Sequence, residues 1–317
     1  MHNYQILLYY NYTPIKDPQK LCQKQKDLCS KLNLKGRILI AEEGINGTIE
    51  GLKEDTEAYI SQVRRDKRFK NTDFKKSEGT GRAFPKLIVK VRTEIVGLKF
   101  GNKDIKPYEV KPLVGSHNEK TGKYLSPEEL YSWIHSDKRF FIVDMRNDYE
   151  QAIGYFRNSI LPPLKNSRDI ASVLPILEEL KDETIVTVCT GGVRCEKMSG
   201  FLLENGFNRV FQLYGGIVSY MEKYPNEDFL GKLYVFDGRI AMGFNTNDKK
   251  HVVVGKCSKC EVPADTYMDC SNSHCPNKRH FISCQDCLKK YGKYCSVECH
   301  ERVKLHPDDF FQPYSNQ

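Results

Sequence analysis

Thr184-Ile185-Val186-Thr187-Val188-Cys189-Thr190-Gly191-Gly192-Val193-Arg194-Cys195 is the stretch that decides how this chain is read. The β-branched run over 184–188 predicts a buried strand ending at Cys189. Two glycines then permit a tight loop, and 196–205 continues with helical spacing through Met198, Phe201 and Leu202. A cysteine between a strand end and a helix start faces unpaired backbone N–H groups and the positive end of the helix dipole. Both favour thiolate over thiol, so Cys189 is expected to be a nucleophile with a lowered pKa. Four residues separate it from Arg194, a shorter interval than wrapping a phosphate requires. The ring of Thr190, Gly191, Gly192, Val193, Arg194 and Cys195 suits a single sulfur atom, held by the Arg194 charge and the preceding N–H groups. Cys195 either packs under the loop or resolves an oxidised Cys189 as a disulfide.

The flanking sequence alternates α and β patterns. Ser126-Pro127-Glu128-Glu129 combines an N-cap serine, a proline at the first helical position and a capping-box glutamate. Strands over 140–143, 184–188 and 209–213, with a helix over 170–180, predict a parallel right-handed α/β sheet over 122–226. Active sites in such sheets lie outside the carboxyl ends of the strands, where Cys189 falls.

Residues 1–100 read differently. Strands over 4–10, 37–40, 47–49 and 86–91, with helices over 18–32 and 55–63, give a βαββαβ order. A ferredoxin-like (acylphosphatase-like) α+β domain with helices on one face follows. Its strands lack the aromatic pattern of an RNA-recognition motif. This first third holds 20 Lys/Arg and 12 Asp/Glu, while 101–317 hold 29 of each, so the whole net charge of +8 sits here. The asymmetry reads either as a solvated basic surface, which composition alone favours slightly, or as the docking face of a polyanionic partner. Arg64, Arg65, Lys67, Arg68 and Lys70, with Lys75 and Lys76, form the densest basic run. It either caps a helix C-terminus or grips phosphates.

A polar linker with Pro107 and Pro112 spans 101–121, a connecting segment 227–250, a cysteine-rich module 251–305 and a tail 306–317. No stretch approaches the ~18 apolar residues of a membrane span, and the N-terminus lacks a signal-peptide pattern. A cytoplasmic protein is expected, in which the 12 cysteines are not disulfides. Cys22 and Cys29 read as core residues of the first helix. Cys257-x2-Cys260, Cys270-x4-Cys275, Cys284-x2-Cys287 and Cys295-x3-Cys299 supply two closed, four-thiolate zinc sites. Which pairs share a metal is open, His274, His280 and His300 are spare donors, and ligand type alone also admits an iron–sulfur cluster.

The cysteine loop resembles that of rhodanese domains. Phe141-Ile142-Val143-Asp144-Met145-Arg146 is similar to the family's strand ending in Asp-x-Arg, and Leu213-Tyr214-Gly215-Gly216-Ile217 to its closing turn. Glu150 and Gly154 also fit, while Tyr155 and Asn158 replace a common His and Gly. Across the whole chain the three modules, with Glu43-Gly44-Ile45-Asn46 and Tyr234-Val235-Phe236-Asp237-Gly238-Arg239, resemble the bacterial rhodanese-containing tRNA uridine hydroxylases. That resemblance implies tRNA as partner, molecular oxygen as co-substrate, 5-hydroxyuridine as product and Cys189 as a persulfide cysteine. The residues alone point elsewhere, to a sulfurtransferase or persulfide carrier that passes sulfur to a small acceptor or protein. They show neither a His-His-carboxylate iron site nor a nucleotide fingerprint. A metal-scaffolded RNA-binding protein is a third reading, disfavoured by the intact Cys189 and Arg194.

Overall fold

In β1 (Tyr4–Tyr12) the side chains alternate: Leu7 and Tyr9 are fully buried, while Leu8, Tyr10 and Tyr12 point to the opposite face. That alternation organises the first module of the computed structural model, which describes residues 3–98, 105, 107, 121–276 and 280–310. Most of the expected linker over 101–121 and the end of the tail lie outside the described residues. After β1 come α1 (Pro18–Lys31), β2 (Lys35–Ala41), β3 (Gly44–Leu52), α2 (Lys53–Arg64), β4 (Phe74–Glu78) and β5 (Leu87–Val91). Asp17 caps α1 by accepting from the Lys20 N–H at 2.9 Å, with Pro18 in its first turn. Leu21, Cys22 and Cys29 of α1 and Tyr59, Ile60 and Val63 of α2 pack on Leu7, Tyr9, Ile38, Ile40 and Ile49 of the sheet.

The sheet order is β4-β1-β3-β2-β5. The strand that completes the βαββαβ unit is β4, antiparallel to β1, and not the expected last strand. β5 is a fifth strand, parallel to β2 on the other edge. Phe74-Lys75-Lys76-Ser77-Glu78 escaped a sequence reading because an edge strand buries one side chain in five, here Phe74.

The α/β module forms a four-stranded parallel sheet, β6-β10-β9-β7. Its elements are β6 (Lys123–Leu125), α3 (Pro127–Ile134), β7 (Phe141–Asp144), α4 (Asp148–Gln151), β8 (Gly154–Phe156), α5 (Leu174–Leu177), β9 (Thr184–Val188), α6 (Val193–Glu204), β10 (Arg209–Leu213) and α7 (Gly216–Lys223). The capping box at Ser126 and Glu129 is formed in both directions. The single helix expected over 170–180 is instead a 3-10 turn (Ser167–Val173), one turn of α5 and a second 3-10 turn (Glu178–Leu180). Pro175 lacks the N–H a continuous helix would need, so the α ladder restarts there.

Two compact units result: Met1–Asn147 with Ser159–Tyr220, and Asp148–Asn158 with Met221–Gln317. In the second, β8 pairs with β11 (Phe229–Gly231), β12 (Leu233–Tyr234) with β13 (Ala241–Met242), and β14 (Thr266–Asp269) with β15 (His280–Ser283). α8 (Gln285–Tyr291) and α9 (Val297–Leu305) follow. Asn158 sits at φ 58, a left-handed position that asparagine tolerates better than most residues. Among the described residues no helix is long and apolar enough to cross a membrane.

Candidate active site

Cys189 leaves the carboxyl end of β9, a strand flanked on both sides by parallel neighbours. Gly192, at φ 99, turns the chain, so α6 begins at Val193, three residues before the 196 expected. The Gly192 N–H donates to Cys189 Sγ at 3.3 Å, and Arg194 Nη2 donates to Thr190 Oγ1 at the same distance. Burial pushes the Cys189 thiol up. The hydrogen bond from Cys195, the Arg194 charge and the N–H groups of Cys195 and Arg194 outweigh it and bring the pKa down to about 6. Burial pushes Cys195 far up, so it stays a protonated donor. The loop is closed from the side by α7: the Ile217 and Val218 N–H groups donate to the carbonyls of Cys189 and Thr190 at 2.9 and 3.1 Å. Asp144 and Arg146 make a wholly buried pair at 2.6 Å beside it, and the Met145 N–H donates to Val188 O at 2.9 Å.

The first module forms the roof of this loop. A Cβ on Gly191 would lie 2.9 Å from Leu8 Cδ2, and one on Gly192 2.9 Å from Tyr10 Oη. Tyr12 Oη donates to Val193 O at 3.1 Å. Tyr10 and Tyr124 both donate to Glu196 Oε1, at 3.0 and 2.7 Å, and Gln212 Nε2 donates to Glu196 Oε2 at 3.3 Å. Burial raises the Glu196 pKa against those three hydrogen bonds, and the neighbouring Cys189 adds to the rise. Lys197 holds Glu43 at 2.6 Å and Glu94 at 3.0 Å. Cys189 is 0% exposed beneath this roof. Sequence reasoning gave these tyrosines and Glu196 no role. Their signal was an aromatic pair, Tyr10 and Tyr12, on the sheet face that carries no helix.

Of the basic run, Arg64, Arg65, Lys67, Arg68, Lys70 and Lys76 are exposed. Arg64 ends α2 and donates to Thr72 O at 3.2 Å, Arg68 pairs with Asp66, and Lys76 on β4 pairs with Glu57 at 2.6 Å. Lys75 departs from the solvated pattern. Its side chain is 9% exposed, paired with Asp73 and set 5.5 Å from the Tyr10 ring centroid.

The eight clustered cysteines fall into two groups. Cys257, Cys260, Cys284 and Cys287 meet in one, and Cys270, Cys275, Cys295 and Cys299 in the other, all sulfurs of a group within 4.8 Å of one another. The pairs are thus interleaved, first with third and second with fourth. Four thiolates at a metal–sulfur bond of about 2.3 Å stand about 3.8 Å apart. Cys260–Cys284, Cys275–Cys295 and Cys295–Cys299 lie at 3.6, 3.4 and 3.5 Å. Backbone N–H groups of Cys287 and Cys295 donate to Cys284 and Cys270 sulfurs at 3.4 Å, as suits thiolates. Both groups can hold a metal ion. His274, His280 and His300 face Asp309, Asp269 and Glu301 and belong to neither group.

Family models match in three consecutive blocks: the UPF0176 acylphosphatase like domain at residues 4–95, the Rhodanese-like domain at 126–223 and the Rhodanase C-terminal at 230–300. A Staphylococcus carnosus protein named tRNA uridine(34) hydroxylase is 43% identical over 305 residues, 95% of this chain and 91% of its own length. Proteins of the same name from Bacillus cytotoxicus and Enterococcus faecalis are each 41% identical, covering 96% and 93% of this chain and 89% and 90% of their own. Likeness at this level over nearly the whole of both chains shows that the protein belongs to the tRNA uridine(34) hydroxylase family.

Proposed function

We propose that this protein hydroxylates the wobble uridine of tRNA to 5-hydroxyuridine, with Cys189 as its nucleophile. The observation that carries the chemical part is the thiolate environment of Cys189: a Gly192 N–H at 3.3 Å, the Arg194 charge and the start of α6. Once the roof of Leu8, Tyr10 and Tyr12 over the buried cysteine parts, attack of Cys189 Sγ on carbon 6 of uracil forms a sulfur–carbon bond and moves the 5,6 electron pair toward carbon 5. The electron-rich carbon 5 takes one oxygen atom from dioxygen, and the second leaves as water with two electrons and two protons from an external reductant. Loss of the carbon 5 proton then expels the thiolate and restores the double bond. Arg194 and the loop N–H groups stabilise the sulfur anion as it departs, and a Cys189 persulfide presents the same kind of nucleophile in the same place.

The exposed Arg64, Arg65, Lys67, Arg68, Lys70 and Lys76 supply cations for tRNA phosphates, which makes binding steeply salt-dependent. Each cysteine group takes one structural zinc, whose four thiolates leave no open position for chemistry. A tRNA substrate supports a cytoplasmic location.

The test is nucleoside analysis of tRNA from cells lacking the protein, supplied with wild type or Cys189→Ser. Wild type is expected to restore 5-hydroxyuridine and the serine variant is not. The cradle around one sulfur atom also favours a second reading, a sulfurtransferase. Unchanged 5-hydroxyuridine with loss of a thiolated base would select it.

A further inference from the structure

We propose that Tyr214 is the stacking platform for the target uracil, set at the rim of the Cys189 loop. The proposal rests on a tRNA wobble uridine as substrate and adds where that base is held. Tyr214 is 41% exposed, whereas Cys189, Arg194 and Cys195 are all buried. Its N–H donates to Leu125 O at 2.8 Å. Its ring meets Tyr124 edge-on, with centroids 5.6 Å apart and planes at 90°. Tyr124 is itself fixed by its hydrogen bond to Glu196. The Tyr214 ring is therefore braced from within the fold and still open to solvent.

The residues that follow tie it to the cysteine. Gly215 and Gly216 take φ 75 and 72, and a Cβ on Gly216 would lie 2.7 Å from Cys189 O. The next N–H, from Ile217, donates to that same oxygen. Lys75 packs on the same side, its Cε 3.4 Å from where a Cβ on Gly215 would sit and its ammonium held by Asp73 at 2.9 Å, so it supports the turn beneath the ring. An exposed ring braced from behind is the arrangement that holds an unpaired nucleotide, because it offers a flat face on which the base stacks. An anticodon-loop base offers a free face, and a base inside a duplex does not. Leu161 and Ile176, the other markedly exposed large apolar side chains described in this unit, are aliphatic and have no ring to stack.

The experiment compares wild type, Tyr214→Ala and Tyr214→Phe in binding a synthetic anticodon stem–loop with uridine, or an abasic site, at the wobble position. Removing the base is expected to weaken wild type and Tyr214→Phe about tenfold or more. It should cost Tyr214→Ala less than about twofold, because that contact is already gone. Equal losses in wild type and Tyr214→Ala would overturn the proposal. So would a shift in the pH midpoint of Cys189 alkylation in Tyr214→Ala, which would make the ring a support of the loop and not a contact. Failure of the hydroxylase reading shows separately, as wild-type protein that restores no 5-hydroxyuridine in cells.

Discussion

Lys197 Nζ lies 2.6 Å from Glu43 Oε2, with the two side chains 4% and 13% exposed. The contact joins α6, three residues past Arg194, to the turn between β2 and β3. It clamps the roof onto the cysteine loop. Lys197→Met leaves Glu43 and Glu94 without their shared cation and is expected to cost about 3 kcal/mol or more in chemical denaturation. Adding Glu43→Gln should recover part of that loss, since the two changes act on one contact. The single variant should also admit iodoacetamide to Cys189 faster than wild type. Equal rates would mean that the roof opens by another route.

Cys189 alkylation is expected to follow a midpoint near pH 6, against about 8.5 for a free thiol. The thiolate dominates above that midpoint and is lost as pH falls through it, so the rate should drop on the acid side. Arg194→Gln removes a charge that favours the anion and should move the midpoint upward. Mass analysis of the Cys189 peptide across pH checks both. A wild-type midpoint above 8 would contradict the thiolate assignment.

Cys195 offers a direct comparison of two substitutions. Its protonated thiol donates toward Cys189 from a fully buried position. Cys195→Ser keeps a donor and should leave the midpoint low and 5-hydroxyuridine formation intact. Cys195→Ala removes the donor and should raise the midpoint. If the serine variant instead recovers poorly from peroxide while turning over normally, Cys195 is a resolving thiol.

Metal analysis of purified protein is expected to find two zinc ions per chain, one for each group of four cysteines. Cys257→Ser and Cys299→Ser should each fall to about one. Chelation should melt the segment around α8 and α9 cooperatively, because few aliphatic side chains pack there without the metal. Circular dichroism during titration with chelator reads this directly.

The loop from Thr184 to Cys195 was legible because its information is local: a β-branched strand, two glycines and a cysteine at a helix start. The capping box at Ser126 was legible for the same reason. β4 was not, since Lys75, Lys76, Ser77 and Glu78 carry no apolar alternation and become a strand only by pairing with β1. The helix expected over 170–180 had the right apolar positions, and Pro175 divided it. Glu196 and Lys197 were visible as charged residues on a helix. Their partners Tyr10, Tyr124, Glu43 and Glu94 come from distant parts of the chain, and no local pattern encodes such a meeting. Family likeness supplied the reaction, which neither the spacing nor the geometry of Cys189 contains by itself.

The crossing of the four cysteine pairs bears on how the protein is made. A ribosome that has released residue 270 has delivered half of one binding site and a single sulfur of the other, because the segment between the halves of the first belongs to the second. Cys287 must emerge before the first ion can be fully enclosed, and Cys299 before the second. The region therefore matures as one entangled step that waits for Cys299. A truncation before Cys299 would leave three sulfurs of the second set competing with the first for the available ion.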